Sequence, residues 1–384
     1  MLKIMLSATE VSGDLHAANL VKAIKRLCPE TEFFGIGGEK MKEAGVEVRQ
    51  FVTHMGTVGI LEGVKFYPSF LKAKNEVGKI LKEKNPDLLV LIDSRDFNTR
   101  LLPLAKNLGI PTVYYIAPQI WAFFDLKMRK IAKEFEKIIT IFPFEDEAYR
   151  KIGADTVWVG HPLLDIVKPE LTKREAYRRF SFDPEKPIIG LFPGSREYEL
   201  VNLLPLMLRA AEILEEKIKG VQYYVPAASS FFEEKISRII RKSKIRVKIF
   251  KENIYDLMNI SSLLITASGT ATLEAACLGV PMVILYKTHI TTYLLAHILV
   301  KLPYVGLPNI LGGKRIVPEL LQFKVTEKNI SNVCLDLLCN SDKITNMRKE
   351  LKKAVEKLGP PGATEKAAKV VVEVASKRKD KVKR

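Results

Sequence analysis

The sequence predicts an α/β protein made of two Rossmann-like domains facing each other across a cleft. Short apolar runs alternate with amphipathic stretches, and the alternation starts afresh after one charged interval. Two such halves bring the carboxyl ends of two parallel sheets to one crevice, where ligands of open α/β sheets bind.

The first series reads LKIMLS and a helix to Arg26, DLLVLID and a helix, then TVYYIA, KIITIF and VWVG. It defines an N-terminal domain over residues 1–167. The interval KPELTKREAYRRFSFDPEKP, residues 168–187, is rich in charge and reads as a linker region enclosing a short helix. The second series reads IIGLFPGS, a long helix through Leu214, VQYYVPA, VKIF, LLITASGT and VPMVILY, giving a second domain over residues 188–355. The chain is helical by pattern from Glu327 onward, and residues 356–384 form a last helix with a basic tail.

A length of 384 residues suits two domains of about 100 to 200 residues each. Apolar residues make up 47% and charged ones 27%, which excludes a disordered chain. Lysine and arginine exceed aspartate and glutamate by 61 to 44, so the expected partner is anionic: a nucleic acid, a phosphorylated substrate or an acidic membrane face. The tail SKRKDKVKR reads as a solvated terminus, and the body is basic without it. The four cysteines lack zinc or disulfide spacing and the five histidines are scattered, so a reducing cytoplasm and no metal centre are expected. The first apolar run is too short for a signal peptide. The most hydrophobic long window, Leu263 to Tyr286, is broken by Gly269, Glu274, Gly279 and Pro281, so no transmembrane helix is expected.

The loops after the strands carry the chemistry. In IMLSATEVSGDLH a strand runs into a turn with the single glycine Gly13, unlike the glycine-rich dinucleotide fingerprint, and Ser12, Gly13 and Asp14 open a helix. In LLVLIDSRDFN, Asp93 ends a buried strand, where a carboxylate is either structural or a general base. Asp96 reads as a helix cap, with Pro103 in the first turn of the following helix. FPGSRE joins a strand to a helix and adds Arg196, which suits a phosphate. In TASGTATLEAACLGV, Ser268, Gly269 and Thr270 open a helix whose amides suit a diphosphate or merely form a cap, and Glu274 one turn on is placed for ribose or for solvent. His161 in VGHPLLD either faces the cleft or satisfies a backbone group.

Residues 55–77 are unusually apolar for a connection. A helix is expected from Pro68, packing Phe70, Ala73, Val77, Ile80 and Leu81. Val58, Ile60, Leu61, Val64 and Phe66, with Phe70 and Leu71, read as a patch for a membrane or acyl chains.

Taken in order, SATEVSGDLH, FGIGGEKM, MGTVGILE, IDSRDFN, YYIAPQIWAF, FPFE, VGHPLLD, LFPGSRE, TASGTATLEAACLGVPMVI and YVGLPNILGGKRIVPELLQ resemble the lipid-A-disaccharide synthases, glycosyltransferases of the GT-B fold. The resemblance runs from about Lys3 to Gln322. It implies joining of UDP-2,3-diacylglucosamine to 2,3-diacylglucosamine 1-phosphate (lipid X), giving a β-1,6 disaccharide 1-phosphate and UDP by an inverting displacement without cofactor or metal.

It further implies Asp93 as the base, and Arg196, Ser268, Gly269, Thr270 and Glu274 on the UDP side with Lys287 nearby, while Asn309, Glu319 and Gln322 match positions around the nucleotide, where Asn309 and Gln322 are expected, and the dimer contact. Glu10, Ser12, Gly13, Asp14, His16 and Arg95 fall on the acceptor side. The C-terminal helices are expected to pack back on the N-terminal domain, and the family's range includes a homodimer. Acylated, phosphorylated substrates fit a basic peripheral enzyme at the cytoplasmic face of the inner membrane. Thr9, Arg95 and Phe123 depart from the family pattern. The rival readings are an enzyme like the UDP-N-acetylglucosamine 2-epimerases and a basic nucleic-acid-binding module; the chain carries no RNA-binding signature, so no nucleic acid is expected as partner.

Overall fold

The computed structural model describes the backbone of residues 1–51, 60–118, 120, 126–227, 230–290, 293 and 303–383, without the side chains of 60–67, 69, 126, 127, 230, 231 and 381–383. The chain divides into two compact units, Met1–Asp165 with Leu358–Arg384, and Ile166–Lys357.

The first unit holds a seven-stranded parallel sheet in the order β3-β2-β1-β4-β5-β6-β7. Its strands are β1 (Lys3–Ala8), β2 (Glu32–Gly37), β3 (Glu47–Phe51), β4 (Leu88–Ile92), β5 (Thr112–Tyr115), β6 (Lys137–Thr140) and β7 (Thr156–Trp158). A parallel strand covered on both faces needs no polar alternation, and LLVLI of β4 is buried at every position. β1 and β4 lie side by side, Ile4 beside Leu88 and Ala8 beside Ile92. The strand order reverses between them, so the loops carrying Glu10 and Asp93 leave the sheet at its switch point. β2 crowds β1 at Gly35, where a Cβ would stand 1.9 Å from the carbonyl oxygen of Leu6.

The last helix, Ala363–Lys383, packs against helix Val11–Leu27 in this first unit. Ala363, Ala367, Ala368, Val371, Val374 and Ala375 form its buried stripe at helical spacing, and small side chains let the two helices approach closely. The carboxylate of Asp165 accepts the amides of Gly362 at 2.6 Å and Thr364 at 3.0 Å, which fixes the start of that helix. Only this helix returns: Glu327–Leu338 and Ser341–Glu356 stay with the second unit.

The second unit repeats the plan with a six-stranded sheet, β10-β9-β8-β11-β12-β13. Its strands are β8 (Ile188–Phe192), β9 (Gln222–Pro226), β10 (Val247–Phe250), β11 (Leu263–Ala267), β12 (Met282–Tyr286) and β13 (Glu319–Leu321). β8 and β11 pair in parallel, Leu263 beside Ile189, at the second switch point. The loops after them are those of Arg196 and of Ser268 to Thr270.

Two expectations change. Residues 168–187 pack on the second unit: the Leu171 amide donates to Asp256 Oδ1 at 2.7 Å, and Lys248 Nζ donates to the Phe180 and Ser181 carbonyls. Phe180 and Phe182 lie 5.2 and 6.1 Å from the Phe250 ring, so two aromatics anchor an otherwise charged stretch. The helix expected from Pro68 begins at Ile60 and runs to Lys84 with Pro68 inside it. Proline costs one ladder bond there, but the backbone continues helical.

Candidate active site

Asp93 sits one residue beyond β4 with φ +54, and Ser94 follows at φ +48. Both are left-handed non-glycine residues, a conformation that crowds Cβ against the backbone. The turn is held by many bonds. The Ser94 amide donates to Asp93 Oδ1 at 2.8 Å, and Ser12 Oγ lies 3.3 Å from Oδ2. The Asp93 carbonyl accepts from Tyr114 Oη at 2.7 Å and from Asn98 Nδ2 at 2.9 Å. Asn98 Nδ2 also reaches the Ile92 carbonyl at 3.0 Å, and its Oδ1 accepts from Ser7 Oγ at 2.7 Å. Thr9 Oγ1 donates to Ser94 Oγ at 2.6 Å. The Asp93 side chain itself is half-buried.

Glu10 is the residue before helix Val11–Leu27, and Ser12 and Gly13 lie in the helix's first turn. Gly13 lets that turn lie close to β4: an added Cβ would meet the Ile92 carbonyl oxygen at 3.5 Å and Asp93 Cβ at 3.7 Å. Asp14 and His16 do not belong with them. The buried Asp14 carboxylate accepts the amides of Gly38 at 2.8 Å, Lys40 at 2.9 Å and Met41 at 3.1 Å, and so closes the start of helix Glu39–Glu43.

His16 is buried and its Nδ1 has no hydrogen-bond partner among the described residues. Burial depresses its pKa to about 4. His161 is likewise interior: its Nδ1 accepts the Leu163 amide at 3.2 Å and its ring lies 4.9 Å from that of Phe142. Burial, with the neighbouring His16, lowers its pKa to about 3. Arg95 is exposed and reaches Asp96 Oδ1 at 3.2 Å. Asp96 is therefore a solvent-side ion partner, and the residue preceding helix Arg95–Asn98 is Ser94. Pro103 does occupy the first turn of helix Leu102–Asn107.

In the second unit, Arg196 precedes helix Glu197–Lys217 and its Nη1 meets Glu199 Oε1 at 3.4 Å. Burial pushes the Glu199 carboxyl above its usual range, while Arg196 pulls the other way. Gly194 is required here: its φ is +109, and a Cβ would stand 2.1 Å from Glu199 Oε2. Across the switch point, Ser268 Oγ donates to the Val305 carbonyl at 3.1 Å, and Gly269 and Thr270 are exposed at the start of helix Thr270–Cys277. Among the described residues a Cβ at Gly269 would meet nothing within 4 Å, while the Ser268 amide donates to the Leu285 carbonyl at 2.9 Å. Glu274 accepts from Tyr255 Oη at 3.2 Å, and burial raises its pKa against that bond. Lys287 is half-buried just beyond β12.

Asn309 and Gln322, expected at the nucleotide, spend their polar atoms on the chain. Asn309 is fully buried; its Oδ1 accepts the Ile316 and Val317 amides at 2.7 and 2.9 Å, and its Nδ2 donates to the Val317 carbonyl and Glu319 Oε1. Both donors and both lone pairs of the amide are thereby used. Glu319 also accepts the amides of Val305 and Gly306 at 3.0 and 2.9 Å. Gln322 pairs with Thr288 in both directions, accepting its amide at 3.1 Å and donating to its carbonyl at 2.8 Å.

Of the apolar patch, Val58 lies outside the described residues, as do the side chains of Ile60, Leu61, Val64 and Phe66. Phe70 turns inward: its ring meets Phe97 edge-on at 5.0 Å and lies 4.9 Å from the Arg100 guanidinium. Leu71 is 39% exposed. Phe123 is also outside the described residues. Among the described residues no helix is long and apolar enough to cross a membrane, and no group of three His, Cys, Asp or Glu side chains could hold a metal ion.

Sequence alone assigns no site role to Ser7, Asn98 or Tyr114. The sequence signal is a serine inside the apolar strand before the first loop and an asparagine in the DSRDFN loop, which the fold brings together.

Residues 4–374 match the family model described as Lipid-A-disaccharide synthetase. The Lipid-A-disaccharide synthase of Geobacter metallireducens is 38% identical over 377 residues, 98% of each chain. That of Persephonella marina is 37% identical over 385 residues, covering 98% of this chain and all of its own. Among solved structures, S. aureus MnaA with UDP superposes with a TM-score of 0.67 over 95% of this chain and 94% of its own, at 12% identity. Acinetobacter baumannii MurG gives 0.58 over 97% of this chain and all of its own, at 15%. At such identities these likenesses bear on fold alone, the two Rossmann-like halves of the GT-B class.

Proposed function

The chain belongs to the lipid-A-disaccharide synthetase family, and from that premise we propose how its two units share the reaction. It is a glycosyltransferase that moves 2,3-diacylglucosamine from UDP-2,3-diacylglucosamine to 2,3-diacylglucosamine 1-phosphate, giving the β-1,6-linked disaccharide 1-phosphate and UDP. The displacement inverts: the acceptor 6-hydroxyl attacks the anomeric carbon, the bond to UDP breaks, and a base takes the hydroxyl proton.

Asp93 is that base. The observation that carries the assignment is its carboxylate at the switch point of the first sheet, with Oδ1 bonded to the Ser94 amide and Oδ2 carrying a hydroxyl, Ser12 Oγ, at 3.3 Å. A substrate hydroxyl can take up the same relation to Oδ2. Glu10, Ser12 and Gly13 line the acceptor side from the neighbouring loop, and Arg95 on the Asp93 turn suits the acceptor phosphate.

The UDP falls to the second unit. The exposed helix start at Ser268, Gly269 and Thr270 receives the diphosphate, Arg196 and Lys287 supply positive charge to the leaving group, and Glu274 takes the ribose hydroxyls. Asn309 and Gln322 act at one remove, by holding the Val305–Gly306 and Thr288 backbone. The substrates carry acyl chains, so the enzyme works as a peripheral protein at the cytoplasmic face of the inner membrane, with Val58, Ile60, Leu61, Val64, Phe66 and the exposed Leu71, but not Phe70, as the lipid-facing residues.

The test is incubation with both acylated substrates in detergent and detection of UDP and the tetra-acyl disaccharide phosphate by mass spectrometry. Absence of product, or turnover of UDP-N-acetylglucosamine alone, would sink the reading. Asp93→Asn should abolish turnover and leave UDP binding intact; a variant that still turns over would remove Asp93 from the role of base.

A further inference from the structure

The bonds around Asp93 have a consequence for the reaction. Two successive left-handed residues, Asp93 and Ser94, are disfavoured for side chains with a Cβ, and such strain persists only where surroundings over-determine it. Here two strands and the short helix Arg95–Asn98 do so. Tyr114 on β5 and Asn98 both donate to the Asp93 carbonyl, at 2.7 and 2.9 Å. Asn98 is in turn oriented by Ser7 on β1, whose Oγ donates to Asn98 Oδ1 at 2.7 Å. Ser7, Asn98 and Tyr114 are each 0% exposed, so none of them reaches a substrate. A relaxed, extended Asp93 would swing its Cα–Cβ bond and give up the short Ser94 amide bond to Oδ1 that sets the carboxylate plane.

We propose that Tyr114 and Asn98, with Ser7 behind them, are positioning residues that clamp the Asp93 main chain in its left-handed form and so aim Oδ2 at the acceptor hydroxyl. The proposal rests on Asp93 being the base. Its signature is a loss confined to the chemical step, because neither substrate touches the clamp.

The test uses the full chain with Tyr114→Phe, which keeps the ring that packs edge-on against Phe135, and separately Asn98→Ser. Each should lower kcat about tenfold or more, with KM for both substrates within about twofold of wild type, in protein whose melting transition lies well above the assay temperature. Unchanged kcat with a lowered melting temperature would make these residues merely structural and overturn the proposal. So would a comparable change in kcat and both KM values, which would mean a repacked site. If Asp93→Asn retains turnover, the reading of Asp93 fails first; if it loses turnover while Tyr114→Phe and Asn98→Ser keep it, only the clamp fails.

Discussion

The side-chain amide of Asn309 donates to Glu319 Oε1 at 2.7 Å, and both residues are buried. Glu319 in turn accepts the Val305 and Gly306 amides, and the Val305 carbonyl receives Ser268 Oγ. One buried carboxylate therefore links β13 to the loop that carries the proposed diphosphate site.

Asn309→Ala should break this link at the cost of stability first. It takes the Asn309 bonds from the Val317 amide and carbonyl, and leaves the Ile316 amide with only the Lys314 carbonyl and Glu319 Oε1 with only the Gly306 amide; each unsatisfied buried group costs about 1–3 kcal/mol. Urea unfolding should register a loss of about 2–5 kcal/mol, and calorimetry a weaker UDP affinity. Stability within about 0.5 kcal/mol of wild type would contradict the network.

His16 and His161 make the first unit sensitive to mild acid. Both are kept neutral by burial, at about 4 and about 3. Unfolded, each binds a proton near pH 6.5, so between pH 6.5 and 4 the unfolded chain takes up protons that the folded unit refuses. Stability is full above pH 6.5, falls as the pH drops, and levels off only below the folded values; at His16 alone the loss is about 3 kcal/mol by pH 4. Melting temperatures of wild type and His16→Gln at pH 8, 6 and 5 check this. The variant should show the smaller decline, and parallel curves would contradict the assignment.

The fold was legible because parallel strands announce themselves as unbroken apolar runs. LLVLI and IIGLF are buried throughout, as such runs require. EFFGIG is buried after its first residue, but a glutamate and two glycines interrupt its apolar run; EVRQF alternates in exposure, and the strand from Glu319 has three residues, so pairing with a neighbour defines them. At the site, residue type indicated which loops mattered but not what each side chain would do. Asp93 and Arg196 stand in the loops at the two switch points, whereas Asn309 and Gln322 resemble ligand contacts in sequence and bond to backbone in space. An amide that binds a nucleotide and one that binds its own loop have the same chemistry; only burial separates them, and burial comes from packing distant in sequence.

Asp14 shows the same distinction in a form that kinetics can read. Its sequence neighbours Ser12 and Gly13 approach Asp93, but its carboxylate is turned under the sheet-end loop to take three amides at 2.8 to 3.1 Å. A charged acceptor of this kind contributes about 1.5–3 kcal/mol per well-made bond, less where bonds share an oxygen. Asp14→Ala should therefore lower stability by about 2–4 kcal/mol in denaturant titrations, through loosening of helix Glu39–Glu43. At a temperature where the variant is folded, KM for the acceptor should stay within about twofold of wild type, because the carboxylate has no remaining role at the sugar. A stable Asp14→Ala protein with a tenfold higher acceptor KM would return Asp14 to the acceptor site and show that its amide bonds give way when substrate binds.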